Sequence, residues 1–227
     1  MKSPPWIFPQ PKIFFSLGSR TKKSCLPQDL LGTFLSHIPS HPESVHVYTD
    51  GSKTDSGVGA AVYSNEFTIS VPLPYSASIF TAELYAIFFA LVNIFSGASS
   101  CYTIFSDSKS VLQALSVLWT PHPLVREIQD WLYRLRTRHK TVDFCWVPSH
   151  VGIPGNETVD AAAKVASTLP PMSLLLPHRD FYPILKRSLY ERWQSEWETK
   201  TTHLRSIKST LGKWTINGLI VNHAERK

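Results

Sequence analysis

The apolar positions of this chain change period several times, and each change marks an element. Val45, Val47 and Thr49 alternate with His46, Tyr48 and Asp50, the period-two pattern of a strand, and Gly51 then signals a turn. Residues 57–63 predict a second strand, rich in small side chains that suit close approach. Phe67, Ile69, Val71 and Leu73 alternate with polar partners as a third. Short connections make these three an antiparallel meander. The pattern then switches. Residues 78–95 predict a long apolar helix, with Ser78 as N-cap and Ser96-Gly97 as its stop. A fourth strand comes next at 102–106, then a helix from about 108 to 118. After Pro121 and Pro123, the residues Leu124, Ile128, Trp131, Leu132 and Leu135 give the next helix its apolar stripe. Residues 142–147 form a fifth strand, and after a loop at 148–156 a helix covers 157–166. This order implies an α/β domain: a mixed five-stranded sheet, with a three-stranded antiparallel meander plus parallel strands, and helices packed on it.

The flanks read differently. Residues 1–43 contain Pro4, Pro5, Pro9, Pro11, Pro27, Pro39 and Pro42 and one short helical candidate at 28–37, and are expected to form a proline-rich N-terminal arm or linker. Pro170-Pro171 closes the domain, which is expected to span 44–170. Residues 171–227 are expected as a basic, partly irregular helical extension, with an amphipathic helix at 181–198 that carries Trp193 and Trp197 four residues apart.

Composition narrows the class. A chain of 227 residues with 43% hydrophobic and 18% charged side chains can bury one sizeable core and is not a disordered protein. The formal charge of +6 is unevenly spread: 1–43 carry five Lys/Arg against two acids, 171–227 carry ten against five, and 44–170 carry eight against ten. Basic flanks suit a polyanion, and an acidic centre that handles a polyanion needs cations of its own. Cys25, Cys101 and Cys145 are isolated, without zinc spacing, and fit reduced thiols in an intracellular protein of nucleus or cytoplasm. With prolines this early, no signal peptide is expected. Residues 84–106 carry no charge, but only 84–95 are densely apolar, fewer than the roughly twenty residues a bilayer span needs, so a buried core helix and no membrane segment are expected.

Four carboxylates stand out. Glu83 is the only formally charged side chain between Glu66 and Asp107, near the start of an apolar helix with no basic partner on it. A carboxylate there is costly unless it is metal-bound, caps its own helix or reaches solvent. Asp107 comes directly after a strand, as Asp50 does, and either could be a turn or N-cap acid. Asp160 lies in the first turns of a helix, where acids are favoured anyway. Their shared placement favours convergence, because open α/β sheets build sites at the carboxyl ends of parallel strands. Four oxygen donors without clustered Cys or His favour a hard cation such as Mg²⁺ or Mn²⁺. Two such ions, roughly 3.5–4 Å apart, would suit an in-line phosphoryl displacement.

Tyr48-Thr49-Asp50-Gly51-Ser52, Thr81-Ala82-Glu83-Leu84-Tyr85-Ala86, Ser106-Asp107-Ser108 and Trp146-Val147-Pro148-Ser149-His150, with Gly155-Asn156-Glu157 and Asp160, resemble in order and spacing the motifs of type 1 ribonuclease H. The flavour is similar to the ribonuclease H domain of non-LTR retrotransposon reverse-transcriptase polyproteins, and the segment around Arg192-Trp193-Gln194-Ser195-Glu196-Trp197 resembles the region C-terminal to that domain in such polyproteins. The resemblance implies that Asp50, Glu83, Asp107 and Asp160 hold two Mg²⁺ ions, with Mn²⁺ able to substitute. It implies that His150, on a mobile loop, assists proton transfer or product release, and that the RNA strand of an RNA–DNA hybrid is cut to leave 5′-phosphate and 3′-hydroxyl ends. Such a hybrid is read through its wide minor groove. Gly51, Ser52, Lys109 and Asn156 are the expected substrate contacts, though Asn156 could equally serve as an N-cap, and Arg126, Arg134, Arg136, Arg138 and Lys140 form either a phosphate stripe or a solvated basic face.

The chain departs from many cellular enzymes of this kind in having only Leu118-Trp119-Thr120-Pro121-His122-Pro123 where they carry a basic protrusion between the two middle helices. No separate hybrid-binding module and no polymerase motif are evident, so affinity would come in part from a neighbouring polymerase domain in a longer parent polyprotein. A monomer is expected. The rival reading is a catalytically weak or inactive nucleic-acid-binding remnant of a mobile element, and a third is a protein-interaction fragment using the Trp193/Trp197 helix.

Overall fold

The computed structural model describes residues 10–15, 43–212, 215–216 and 219–220. The helical candidate at 28–37, Cys25 and most of the proline-rich stretch lie outside these residues. Two compact units are present, Met1–Pro177 and His178–Lys227.

The first unit is built on a six-stranded mixed sheet in the order β1-β6-β5-β2-β3-β4. These strands are β1 (Ile13–Phe14), β2 (Val45–Lys53), β3 (Val58–Ser64), β4 (Thr68–Leu73), β5 (Cys101–Ser106) and β6 (Thr141–Trp146). The meander β2-β3-β4 is antiparallel, and β2, β5 and β6 run parallel. Beyond the five expected strands, Ile13 and Phe14 pair in parallel with Phe144 and Cys145 and cover the β6 edge. Nothing in the sequence pattern flagged so short a strand in a proline-rich stretch.

Strand β2 runs longer than its pattern suggests. Gly51 does not turn the chain: it stays paired with Ala60, and Ser52 and Lys53 continue the ladder opposite Gly59 and Val58. On its other side β2 stops pairing with β5 at Thr49↔Ser106. Asp50 is therefore at the end of the parallel pairing but in the middle of the antiparallel one.

Helix α1 (Ile79–Ser96) fills the core on one face. Ser78 accepts the Thr81 N–H at 3.2 Å as N-cap, and the Gly97 N–H closes the last turn on Asn93 O and Ile94 O. Leu84, Ile87, Leu91 and Ile94 are fully buried, and each contributes roughly 2 kcal/mol of transfer free energy. Among the described residues this is the one helix long and apolar enough to cross a membrane by length and composition, and 56% of its apolar window is buried inside the fold. The Lys140 ammonium, from the turn before β6, donates to Ile94 O at 2.9 Å and Ser99 O at 3.1 Å and also to Gly97 O, so it completes the carboxyl end of α1.

Helix α2 (Lys109–Leu115) stops three residues before its expected end, leaving Val117, Leu118 and Trp119 exposed. The buried Gln129 amide takes up the carbonyls this leaves open, donating to Leu115 O at 3.4 Å and Val117 O at 2.9 Å. Helix α3 (Pro123–Thr137) carries that glutamine on the face it buries with Leu124, Val125, Ile128, Leu132 and Leu135.

Helix α4 (Pro154–Ala166) packs on the other face, where Val159 and Ala163 meet Ala61. It starts three residues earlier than expected, with Pro154 in its first turn, since a proline there loses no hydrogen bond the helix would make. The unit continues past Pro171: the Met172 N–H donates to Pro72 O at 3.0 Å, the Tyr85 hydroxyl to Leu175 O, and Leu174 and Leu176 pack on the core.

The second unit holds a 3₁₀ turn (His178–Phe181), α5 (Tyr182–Glu198), with no fully buried residue, and the short α6 (His203–Ile207). Arg187–Glu191 and Arg192–Glu196 ion pairs line its exposed surface.

Close approach of α4 to the sheet depends on Gly59. A Cβ there would lie 2.4 Å from Ala163 O and 2.6 Å from Ser167 N, both backbone atoms that cannot step aside. Gly59→Ala is expected to lower stability by roughly 1–3 kcal/mol, read from the midpoint of urea unfolding; an unchanged midpoint contradicts this packing.

Candidate active site

The register of the parallel strands brings the first two acids together. Thr49 pairs with Ser106, so the next residue on each strand, Asp50 and Asp107, emerges at the same end of the sheet. Side chains alternate along β2, and Gly51 faces α1: a Cβ on it would lie 2.6 Å from Glu83 N and 2.9 Å from Ala82 C. Its missing side chain lets the first turns of α1 close on the strand and delivers Glu83 to the other two acids. One oxygen from each of Asp50, Glu83 and Asp107 lies within 4.8 Å of the others. Asp50 and Glu83 are each only 7% exposed.

Asp160 is presented from α4 and belongs to a second group, in which His150, Glu157 and Asp160 each offer an atom within 4.8 Å of the rest. It is close enough to Asp50 to raise that carboxyl's pKa. Lys164, one turn later, binds Asp160 Oδ2 at 2.7 Å. The i, i+4 spacing of Asp160 and Lys164 on a helix was the available signal for this ion pair. The loop before α4 is shaped by two left-handed residues, His150 at φ 56° and Gly152 at φ 82°, and the Gly152 N–H donates to Glu157 Oε1 at 3.3 Å. Glu157 thus ties down the loop that carries His150.

The other expected contacts divide by exposure. Lys109 is exposed at the start of α2. Gly51 and Ser52 are buried in β2. Asn156 lies inside the first turns of α4, not before them, so it is not the N-cap, a position that Ile153 holds. It is 4% exposed, and its Oδ1 has no hydrogen-bond partner. Of the basic residues, Lys140 is engaged at the end of α1, and the Arg134 and Arg138 guanidiniums lie over the Trp131 and Phe95 rings at 5.1 and 3.8 Å.

Electrostatics make the three-acid cluster unstable by itself. Burial, then the negative fields of Asp107 and Asp160, push Asp50 from 3.8 up to about 7, against weaker pulls from the Gly51 N–H and Lys164. Burial, then Asp50 and Asp107, hold Glu83 well above its ordinary 4.5, again opposed by the Gly51 N–H. Glu83 Oε2 is buried with no hydrogen-bond partner. Buried acids that repel one another, with an orphaned oxygen and only oxygen donors, fit a hard divalent cation in chemistry and placement.

A mixed sheet with helices on both faces and an acidic cluster at the end of its parallel strands defines an α/β protein with a group of carboxylates that could hold a metal ion. The profile of the RNase H family matches residues 42–168, and the chain belongs to that family. It is similar to the Pol polyproteins of equine infectious anemia virus, with 32% identity over 130 residues for isolates 1369 and CL22 and 31% for strain Wyoming. Each match covers 53% of this chain and 10% of the relative, so the chain spans about a tenth of the length of these curated relatives.

The raised acids give a pH test. Asp50 in the folded protein holds its proton up to about pH 7, whereas the unfolded chain releases it near 3.8. Its stabilising contribution in the metal-free protein is therefore complete below about pH 4 and lost as pH rises through about 7. In a chelator, Asp50→Asn is expected to be more stable than the parent at pH 8, by up to about 4 kcal/mol, with the advantage shrinking towards pH 5. Urea unfolding across this range measures it; a pH-independent difference, or a less stable variant at pH 8, contradicts the assignment.

Proposed function

We propose that this chain is a metal-dependent endoribonuclease of type 1 that hydrolyses the RNA strand of RNA–DNA hybrids. The observation that carries the reading is the triad of buried Asp50 and Glu83 with half-buried Asp107, whose Glu83 Oε2 is left without a partner at the end of the parallel strands. A family member with its acids drawn together in this way has kept the groups that bind cations, which weighs against an inactive remnant.

In this reading Asp50, Glu83, Asp107 and Asp160 would between them hold two Mg²⁺ ions, with Mn²⁺ able to substitute. Bound divalent ions neutralise charge on the scissile phosphate and make water a better nucleophile at neutral pH. The protein's own residues do the rest. Gly51 keeps α1 close enough for Glu83 to share a cation with the strand acids. Lys164 partly neutralises Asp160 and limits the charge the second site presents before cations arrive. His150, exposed on its left-handed turn beside Asp160, exchanges a proton with the leaving or entering oxygen, or helps release the 5′-phosphate product. Lys109 meets a substrate phosphate, and Asn156, whose buried Oδ1 lacks a hydrogen-bond partner, belongs to the substrate-facing end of α4. Gly51 and Ser52, both buried, border the hybrid through backbone more than side chain.

We further propose that the domain descends from a retroelement polyprotein in which an adjoining polymerase domain held the hybrid, and that as a monomer it binds substrate weakly.

Cleavage of a labelled hybrid in Mg²⁺ or Mn²⁺ tests the function. The parent is expected to cut only the RNA strand, leaving 5′-phosphate ends. Asp50→Asn and Glu83→Gln are each expected to lose at least about a hundredfold in rate, as removal of a main electrostatic group does, and His150→Ala about ten- to a hundredfold, in the range of a lost proton carrier. No cleavage by the parent, or equal cleavage by Asp50→Asn, would overturn the reading.

A further inference from the structure

Asp107 differs from Asp50 and Glu83 in its support. Asp50 is gripped within a strand and Glu83 within a helix, but Asp107 sits in the two-residue gap between β5 and α2. Strand pairing ends one residue before it, at Ser106↔Trp146. A carboxylate that must share a cation needs its position held to roughly half an ångström by neighbouring groups. Two bonds to the Asp107 backbone carbonyl contribute to this. One is local, from the Lys109 N–H at 3.0 Å. The other crosses from a different strand: the indole Nε1–H of Trp146, at the end of β6, donates to Asp107 O at 3.0 Å. The same ring lies under the Lys109 ammonium, 5.9 Å from its centroid, within the range of a cation–π contact.

We propose that Trp146 is a positioning residue that acts twice, holding the backbone that carries the Asp107 carboxylate through its indole N–H and the Lys109 ammonium through its ring face. The inference rests on the ribonuclease reading for its consequences and on these two contacts for its geometry. One side chain couples the cation-holding end of the gap to its phosphate-facing end. The two functions separate chemically, because phenylalanine keeps a ring for Lys109 but has no N–H for Asp107.

The test combines cation binding with kinetics. Trp146→Phe is expected to bind Mn²⁺ about tenfold more weakly by calorimetry, the lower end of the loss seen when a partner behind a metal ligand is removed. Its kcat should fall while its KM for the hybrid and its melting temperature stay close to the parent's. Lys109→Ala should raise KM and leave Mn²⁺ affinity unchanged, and Trp146→Ala should show both defects. In the parent, the Trp146 indole N–H resonance should move when Mg²⁺ is added, a readout that needs no folded variant. Parent-like Mn²⁺ affinity in Trp146→Phe, or an indole resonance indifferent to Mg²⁺, overturns the proposal. Should the parent bind Mn²⁺ in this Trp146-dependent way yet leave hybrids uncut, the ribonuclease reading fails and the positioning role stands.

Discussion

Mutual repulsion among buried carboxylates is the constraint around which this domain is arranged. Asp50 and Glu83 are almost wholly removed from water, share space with Asp107, and have no ion-pair partner among the described residues. Folding alone would avoid such a cluster, because unpaired buried charge is expensive. The fold instead forces it: parallel pairing sets Asp50 beside Asp107, and the absent side chain of Gly51 allows α1 to bring in Glu83. The densely packed core of α1, β2, β3 and α3 supplies the stability that holds this arrangement. Protonation relieves part of this repulsion, as the raised pKa values of Asp50 and Glu83 record, and a bound cation would relieve it at higher pH.

The remaining parts of the site grade outward from that cluster. Asp160 is half-buried, already paired with Lys164, and set in a group with His150 and Glu157 rather than with the three inner acids. His150 is exposed on a loop that Glu157 ties down. The inner group is therefore largely buried and built only of carboxylates, whereas the outer one is partly neutralised and loop-borne.

Much of this was legible in the sequence because the signals were local. Alternation in 45–50, the lone charge of Glu83 in an apolar helix and the position of Asp107 directly after a strand needed no tertiary information. What the sequence hid was set by partners far along the chain. Gly51 reads as a turn, yet β3 keeps it in the sheet, so the local preference of glycine lost to a seven-pair ladder. The early start of α4 came from Pro154, which reads as a loop residue until a helix is known to begin there. The edge strand Ile13–Phe14 is too short to carry a period at all. Likewise, Lys140 reads as part of a basic surface, and only the fold reveals that it closes the end of α1.

The central claim is that the three inner acids are a cation site, and thermal unfolding at pH 7.5 with and without Mg²⁺ addresses it most directly. Binding to the folded state alone raises the melting temperature with cation concentration. The account predicts a rise for the parent that is largely lost in Glu83→Gln, whose metal-free form should itself melt higher than the metal-free parent. An equal Mg²⁺-dependent rise in parent and variant, or none in the parent, would contradict it.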